Sequence, residues 1–264
     1  MPHVHVEQAC FQPPEVRETT TTPSAPPLRS GHGPRLVAGT AFHHKPDLLS
    51  PQITTLALAC LESADAARQV ILTWQRQGYT LAHIYGQGIT PCARLLGDWW
   101  CSDQVDFGTI TIASAHLQKL LYEFSTEFVQ EARCPPNNLN LLLLGEPGTQ
   151  HSLGLGMLGA FFRRAGWSVS VAIPADLHEF ERLFRGEWFD AIGVSVSSDR
   201  HLSRLAHLLP QLKASSANPH LHLFVGGPLV MSDPLRLNWT WADVVALDAA
   251  ETVQHVTAQR VGHA

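Results

Sequence analysis

The sequence predicts a bundle of helices followed by a doubly wound parallel α/β sheet, and three observations carry that prediction. Five short apolar runs recur in the second half, each bounded by turn residues. Stretches of helical length separate them, and strands alternating with helices imply parallel pairing through crossovers. Between about Ser50 and Cys134 such runs are missing, and apolar residues recur there at helical spacing instead.

Residues 1 to about 35 hold seven of the eighteen prolines and a TTTT tract. Such a stretch buries too little apolar surface to offset its ordering entropy, so residues 1–49 read as a disordered tail. Its pairs His3/His5 and His43/His44 read as solvated surface histidines, with a metal site as the alternative.

A first helix follows from Ile53, Leu56, Ala57, Cys60 and Leu61 at helical spacing. Ser63 can cap a second, which runs to Gln77-Gly78. A third covers about Leu81 to Trp100. A long fourth carries Phe107, Ile110, Ser114, Leu117, Leu121, Phe124 and Phe128 on one stripe. Short connections make residues 50–134 an antiparallel four-helix bundle. Cys134-Pro135-Pro136 reads as a linker, and residues 137–264 form the second domain.

In that domain the strands are Leu139–Leu144, Ser168–Ile173, Ala191–Val196, His220–Val225 and Val244–Leu247. The first is continuously apolar, as a strand covered on both faces should be. Helices fall at about Leu153–Ala165, Leu177–Arg185, Leu202–Lys213 and Ala249–Arg260. Right-handed crossovers leave few topologies, and five strands fit the flavodoxin-like order.

Composition excludes several functions. The chain has 264 residues, 45% hydrophobic and 16% charged, enough for both parts to bury a core. A net charge of −5 without a basic stripe argues against direct, strong nucleic-acid binding. Five scattered cysteines (Cys10, Cys60, Cys92, Cys101, Cys134) form no metal-ligand pairs and read as reduced thiols. The N-terminus lacks the basic and apolar regions of a signal peptide, and no apolar run approaches the roughly 18 residues of a membrane span. A cytoplasmic, soluble protein with no membrane partner is expected.

In an open parallel sheet, ligands bind outside the carboxyl ends of the strands where strand order reverses. The loops at that edge read GEPGTQHSLG, SVSSD and GGP. Their small residues admit a large ligand, and the first offers one histidine, His151. Gly154-Leu-Gly156-Met-Leu-Gly159 spells a dinucleotide motif, with Asp176 seventeen residues on. Its first glycine comes nine residues too late, Gly145 to Leu153 intervening, so these glycines fit helix–sheet packing better.

His151-x-x-Gly154, then Ser195-Val-Ser197 after 40 residues, then Gly226-Gly227 after 28 more, resembles the cobalamin-binding signature D-x-H-x-x-G…S-x-L…G-G. The resemblance implies that His151 is the lower axial ligand of cobalt, the displaced nucleotide tail lying in a slot at Ser195, Val196, Ser197, Gly226 and Gly227. Gly148, Thr149, Gln150, Ser152 and Gly154 would surround the ligating histidine, and Asp248 would stand at the rim. An ordinary loop histidine and an ordinary strand-to-helix turn remain the alternatives for His151 and Gly226-Gly227.

Ile89 to Phe124, with Gly97-Asp98-Trp99-Trp100 at its centre, is similar to the helical cap over the upper face of cobalamin in methyltransferases and light-sensing regulators. Trp100 matches the tryptophan of a W-x9-E-H motif, and since adjacent large aromatics cannot share one face, one of Trp99 and Trp100 should face the sheet domain. Ile110-Thr111 stands where Glu-His would support an adenosyl group, which points to aquo- or hydroxocobalamin. Thr149 stands where an aspartate would orient the histidine, which argues against methyl-transfer chemistry. Glu146 could replace that aspartate only if the loop folds back.

A cap plus a cobalamin domain, with a low-complexity tail, resembles the AerR/PpaA antirepressors of photosynthetic bacteria. That resemblance implies a non-enzymatic, light-responsive photoreceptor and transcription regulator of photosynthesis genes. Its partner would be a CrtJ/PpsR-type DNA-binding repressor. A haem sensor on the same fold, a corrinoid carrier subunit for methyl transfer, and a module that docks proteins without a cofactor are the alternatives.

Overall fold

The computed structural model describes residues 35–37, 47–233, 239 and 241–261. Most of the stretch read as a disordered tail, its histidine pairs and Cys10 lie outside the described residues. Six parallel strands form one sheet in the order β1-β6-β5-β4-β2-β3. They are β1 (Arg35–Val37), β2 (Asn140–Gly145), β3 (Ser168–Ala172), β4 (Ala191–Ser195), β5 (His222–Gly226) and β6 (Val244–Ala246). The last five reproduce the doubly wound, flavodoxin-like arrangement, its switch point between β2 and β4. Arg35–Val37, within the stretch assigned to the tail, adds a short edge strand beside β6.

Side chains alternate across β2 as a pleated strand requires. Leu141 and Leu143 join the core on the bundle side; Leu142 and Leu144 join the core on the other face. Helices α7 (Leu153–Arg164) and α11 (Ala249–Val261) cover the first face. Helices α8 (Leu177–Arg185), α9 (Leu202–Ala214) and the short α10 (Pro228–Ser232), which the sequence reading lacks, cover the second. Gly193 leaves room on the bundle side for the Phe224 ring, which a Cβ there would meet at 2.4 Å. Phe224 in turn stacks on Phe162.

The helical part holds α1 (Ser50–Glu62), α2 (Ala64–Arg76), α3 (Leu81–His83), α4 (Thr90–Cys101), α5 (Phe107–Glu123) and α6 (Ser125–Ala132). Ser63 caps α2 by accepting from the Ala66 amide, as its position suggests. Between α3 and α4 the rod continues through a π-helical segment, Ile84–Ile89. There Trp74 presses on the backbone, and any side chain at Gly88 would meet its ring at 2.8 Å. The predicted fourth helix is broken at Phe124 into α5 and α6. The buried stripe of α5 is Ile110, Ala113, Leu117 and Leu120; Phe107, placed on that stripe from the sequence, is 59% exposed.

The bundle rests on the bundle-side face of the sheet, and the two share one core. Tyr85 stacks on Phe128, and Phe128 meets Phe161 of α7 edge-on. Arg164 lies over the Phe128 ring and bonds the Phe128 carbonyl and Glu131. No helix among the described residues is long and apolar enough to cross a membrane.

Candidate functional site

The loops after β2, β4 and β5 meet at the carboxyl edge of the sheet. Strand register aligns their starts, Gly145 opposite Ser195 and Ser195 opposite Gly226. Two further bonds stitch the β4 loop to its neighbours: Val196 N–H donates to the Gly226 carbonyl, and Leu229 N–H to the Val196 carbonyl. Gly227 has φ of 108°, which an L side chain rarely adopts, and a Cβ there would lie 2.6 Å from the Val196 carbonyl oxygen and 2.7 Å from Ser195 Oγ. That close approach packs the β5 loop directly against the β4 loop, backbone on backbone.

The β2 loop leaves the sheet at Glu146, whose amide bonds the Ser195 carbonyl. Gly148 turns it in the left-handed region, its amide held by the Pro174 carbonyl. Gly148, Gln150 and His151 are exposed, and Thr149 and Ser152 half-buried. Thr149 Oγ1 accepts from the His151 amide at 3.1 Å and pairs with Ser197 Oγ at 2.9 Å. Among the described residues the His151 imidazole makes no hydrogen bond. Helix α7 then begins with Gly154 and Gly156, whose Cβ positions face open space.

The residues singled out from the sequence therefore gather at one edge, with Trp100 the exception. Asp248, just past the carboxyl end of β6, also caps α11: one carboxylate oxygen accepts from the Glu251 amide and its carbonyl from Thr252. Trp100 has its ring partner in Phe107 of α5, 5.9 Å away, rather than in the His151 loop, and Trp99 and Trp100 are both half-buried against the shared core. Ile110 lies in that core and Thr111 is exposed, its hydroxyl bonded to the Phe107 carbonyl.

Glu146 is the residue whose place the sequence does not reveal. It is 4% exposed and turned away from His151, so it does not stand in for the aspartate. Its carboxylate accepts from the Ser197 amide (2.9 Å), the Ser198 amide (3.0 Å) and Ser198 Oγ (2.5 Å). An acid between Gly145 and Pro147, directly after an apolar strand, is the one signal that could have marked it.

Few polar contacts hold the bundle over this edge. Gln118 of α5 donates to Ser152 Oγ at 3.1 Å, one residue from His151. Thr90 and Arg94 of α4 reach the sulfurs of Met157 and Met231. On the α3–α4 rod, Gly86 and Gly97 have open space at their Cβ positions.

These residues fit a planar metal macrocycle. The protein offers one exposed imidazole with unbonded nitrogens, suited to a metal that brings its own equatorial ligands. Around it Gly148, Gly154 and Gly156 keep the loop and the start of α7 low, with open space at the Cβ positions of Gly154 and Gly156.

The family model described as the B12 binding domain matches residues 142–257. A Rhodobacter capsulatus protein, described as an uncharacterized 20.5 kDa protein in the bchF-crtJ intergenic region, is 32% identical over 160 residues. That match covers 61% of this chain and 83% of the relative. The monomethylamine corrinoid protein of Methanosarcina barkeri has a similar fold, with a TM-score of 0.61 at 14% identity over 80% of this chain and 100% of that one. A cobalamin-binding protein of Desulfitobacterium hafniense aligns over 78% of this chain and 97% of its own, with a TM-score of 0.37 at 16% identity.

Proposed function

Because this chain belongs to the B12-binding domain family, in line with its resemblance to AerR/PpaA-type proteins, we propose that it holds cobalamin through His151 and uses it as a regulatory signal. The observation that carries the reading is His151 itself, an exposed imidazole on the loop that ends β2, at the switch point between β2 and β4. Bound cobalamin, held by His151, would supply a cobalt centre with an exchangeable ligand such as water or hydroxide, the chemistry through which a signal such as light could act. The chain's own residues fix the His151 backbone through the Thr149 hydroxyl, and Ser195, Val196, Ser197, Gly226 and Gly227 would receive the nucleotide tail.

A regulatory role fits better than a catalytic one. Repeated turnover at cobalt calls for a carboxylate behind the histidine, and Thr149 and the averted Glu146 supply none. The bundle is held over the site by a single amide–hydroxyl bond and two contacts to sulfur, so its position can report occupancy at small cost. The relative's location between bchF and crtJ supports antirepressor action on a CrtJ/PpsR-type repressor of photosynthesis genes. The net charge of −5 suits a partner that is a protein rather than DNA.

Absorption spectra of purified protein with hydroxocobalamin, in darkness and light, test this directly. The wild type should show imidazole-coordinated cobalamin, and His151→Ala should lose that signature and bind about tenfold more weakly or worse. Unchanged binding and spectrum in the variant would remove His151 as the ligand; a Soret band would mark a haem sensor instead. Equal binding of the repressor by loaded and cofactor-free protein would end the antirepressor reading.

A further inference from the structure

We propose that Glu146 is a positioning residue for the cofactor loop, acting through the β4 loop rather than on the imidazole; this deepens the reading of His151 as the cobalt ligand and rests on it. A carboxylate that is 4% exposed loses most of its hydration, and it stays buried only where donors replace the water. Glu146 has three, all from Ser197 and Ser198, and among the described residues it forms no ion pair. Bonds from neutral donors to a carboxylate are short and strong, so the peptide carrying Ser197 is fixed in place. Ser197 Oγ then meets Thr149 Oγ1, and Thr149 Oγ1 receives the His151 amide.

The bonds thus run unbroken from the floor of the switch-point crevice to the backbone of the candidate ligand. Glu146 and His151 sit at the two ends of one six-residue segment, and the β4 loop is the brace between them. The charge therefore supplies rigidity where other arrangements would have it polarise the ligand directly. This explains how a loop lacking a carboxylate behind its histidine can still hold the backbone of that histidine in one place.

The test compares wild type, Glu146→Gln, Ser197→Ala, the double variant and His151→Ala, first without cofactor and then with hydroxocobalamin. Glu146→Gln keeps the shape and one oxygen for the Ser197 and Ser198 amides, but it removes the charge and puts an N–H₂ group where the other oxygen accepts from Ser198 Oγ. In cofactor-free protein it should raise amide hydrogen exchange in both segments 147–152 and 196–199. Ser197→Ala should raise exchange in 147–152 alone. With cofactor, Glu146→Gln should weaken binding about tenfold and lower the fraction of imidazole-coordinated cobalt read by electron paramagnetic resonance of the reduced form. The double variant should bind no worse than Glu146→Gln, since both cut one path. Wild-type exchange and wild-type affinity in folded Glu146→Gln would overturn the proposal. If that variant does not fold, Ser198→Ala removes one donor and should shift the same two segments; unchanged exchange there overturns it equally. Should His151→Ala keep the wild-type spectrum, the ligand assignment fails, while the exchange data still decide the role of Glu146.

Discussion

A methyl group on Gly227 has nowhere to go: the Val196 carbonyl, the Val196 amide and Ser195 Oγ all lie within 2.7 Å of its place. Gly227→Ala must also adopt a φ near 108°, so it should cost on the order of 2 kcal/mol or more in urea denaturation. It should also force the β4 and β5 loops apart, weakening cobalamin binding even where the protein stays folded. At this scale much was legible in the sequence. His151, Ser195 and Gly226-Gly227 declare themselves because loops at one sheet edge must converge once the strand order is known. Glu146 and the Thr149–Ser197 pair do not, since a hydroxyl's partner 48 positions away depends on side-chain geometry that no spacing encodes. The cap that Asp248 places on α11 is likewise not separable in sequence from a rim position, since the two look alike there.

Among the elements, β2 and β4 were plain because burial on both faces forces apolar runs, and the edge-side β3 showed itself by alternation; the break at Phe124 and the π-helical turn were not plain. Both preserve helical spacing on either side, so periodicity passes over them. Strand β5 carries a titratable group at its start. Burial pushes the His222 imidazole down to about 4, against the pull of Asp243 at 3.8 Å, with Lys213, His255 and Arg260 adding to the depression. The folded protein thus prefers His222 neutral, while the unfolded chain takes up a proton near pH 6.5. Stability should be full above that pH and fall as pH drops from 6.5 toward 4, by on the order of 2 kcal/mol. Urea midpoints at pH 7 and pH 4.5 should differ less in His222→Gln than in wild type.

Over the whole molecule, bundle and sheet are joined by aromatic packing at α6 and α7 and by sparse contacts at α4 and α5. Phe128, fully buried between Tyr85 and Phe161, is the centre of the joint. Phe128→Ala should cost about 3–5 kcal/mol and lower one cooperative transition, so that calorimetry shows a single peak at reduced temperature rather than two. The aromatic file has a mechanical consequence as well. Its rings run in one file from Tyr85 through Phe128 to Phe161, so a load on the helices passes into α7 along that file, and a gap at its middle ring uncouples both ends at once.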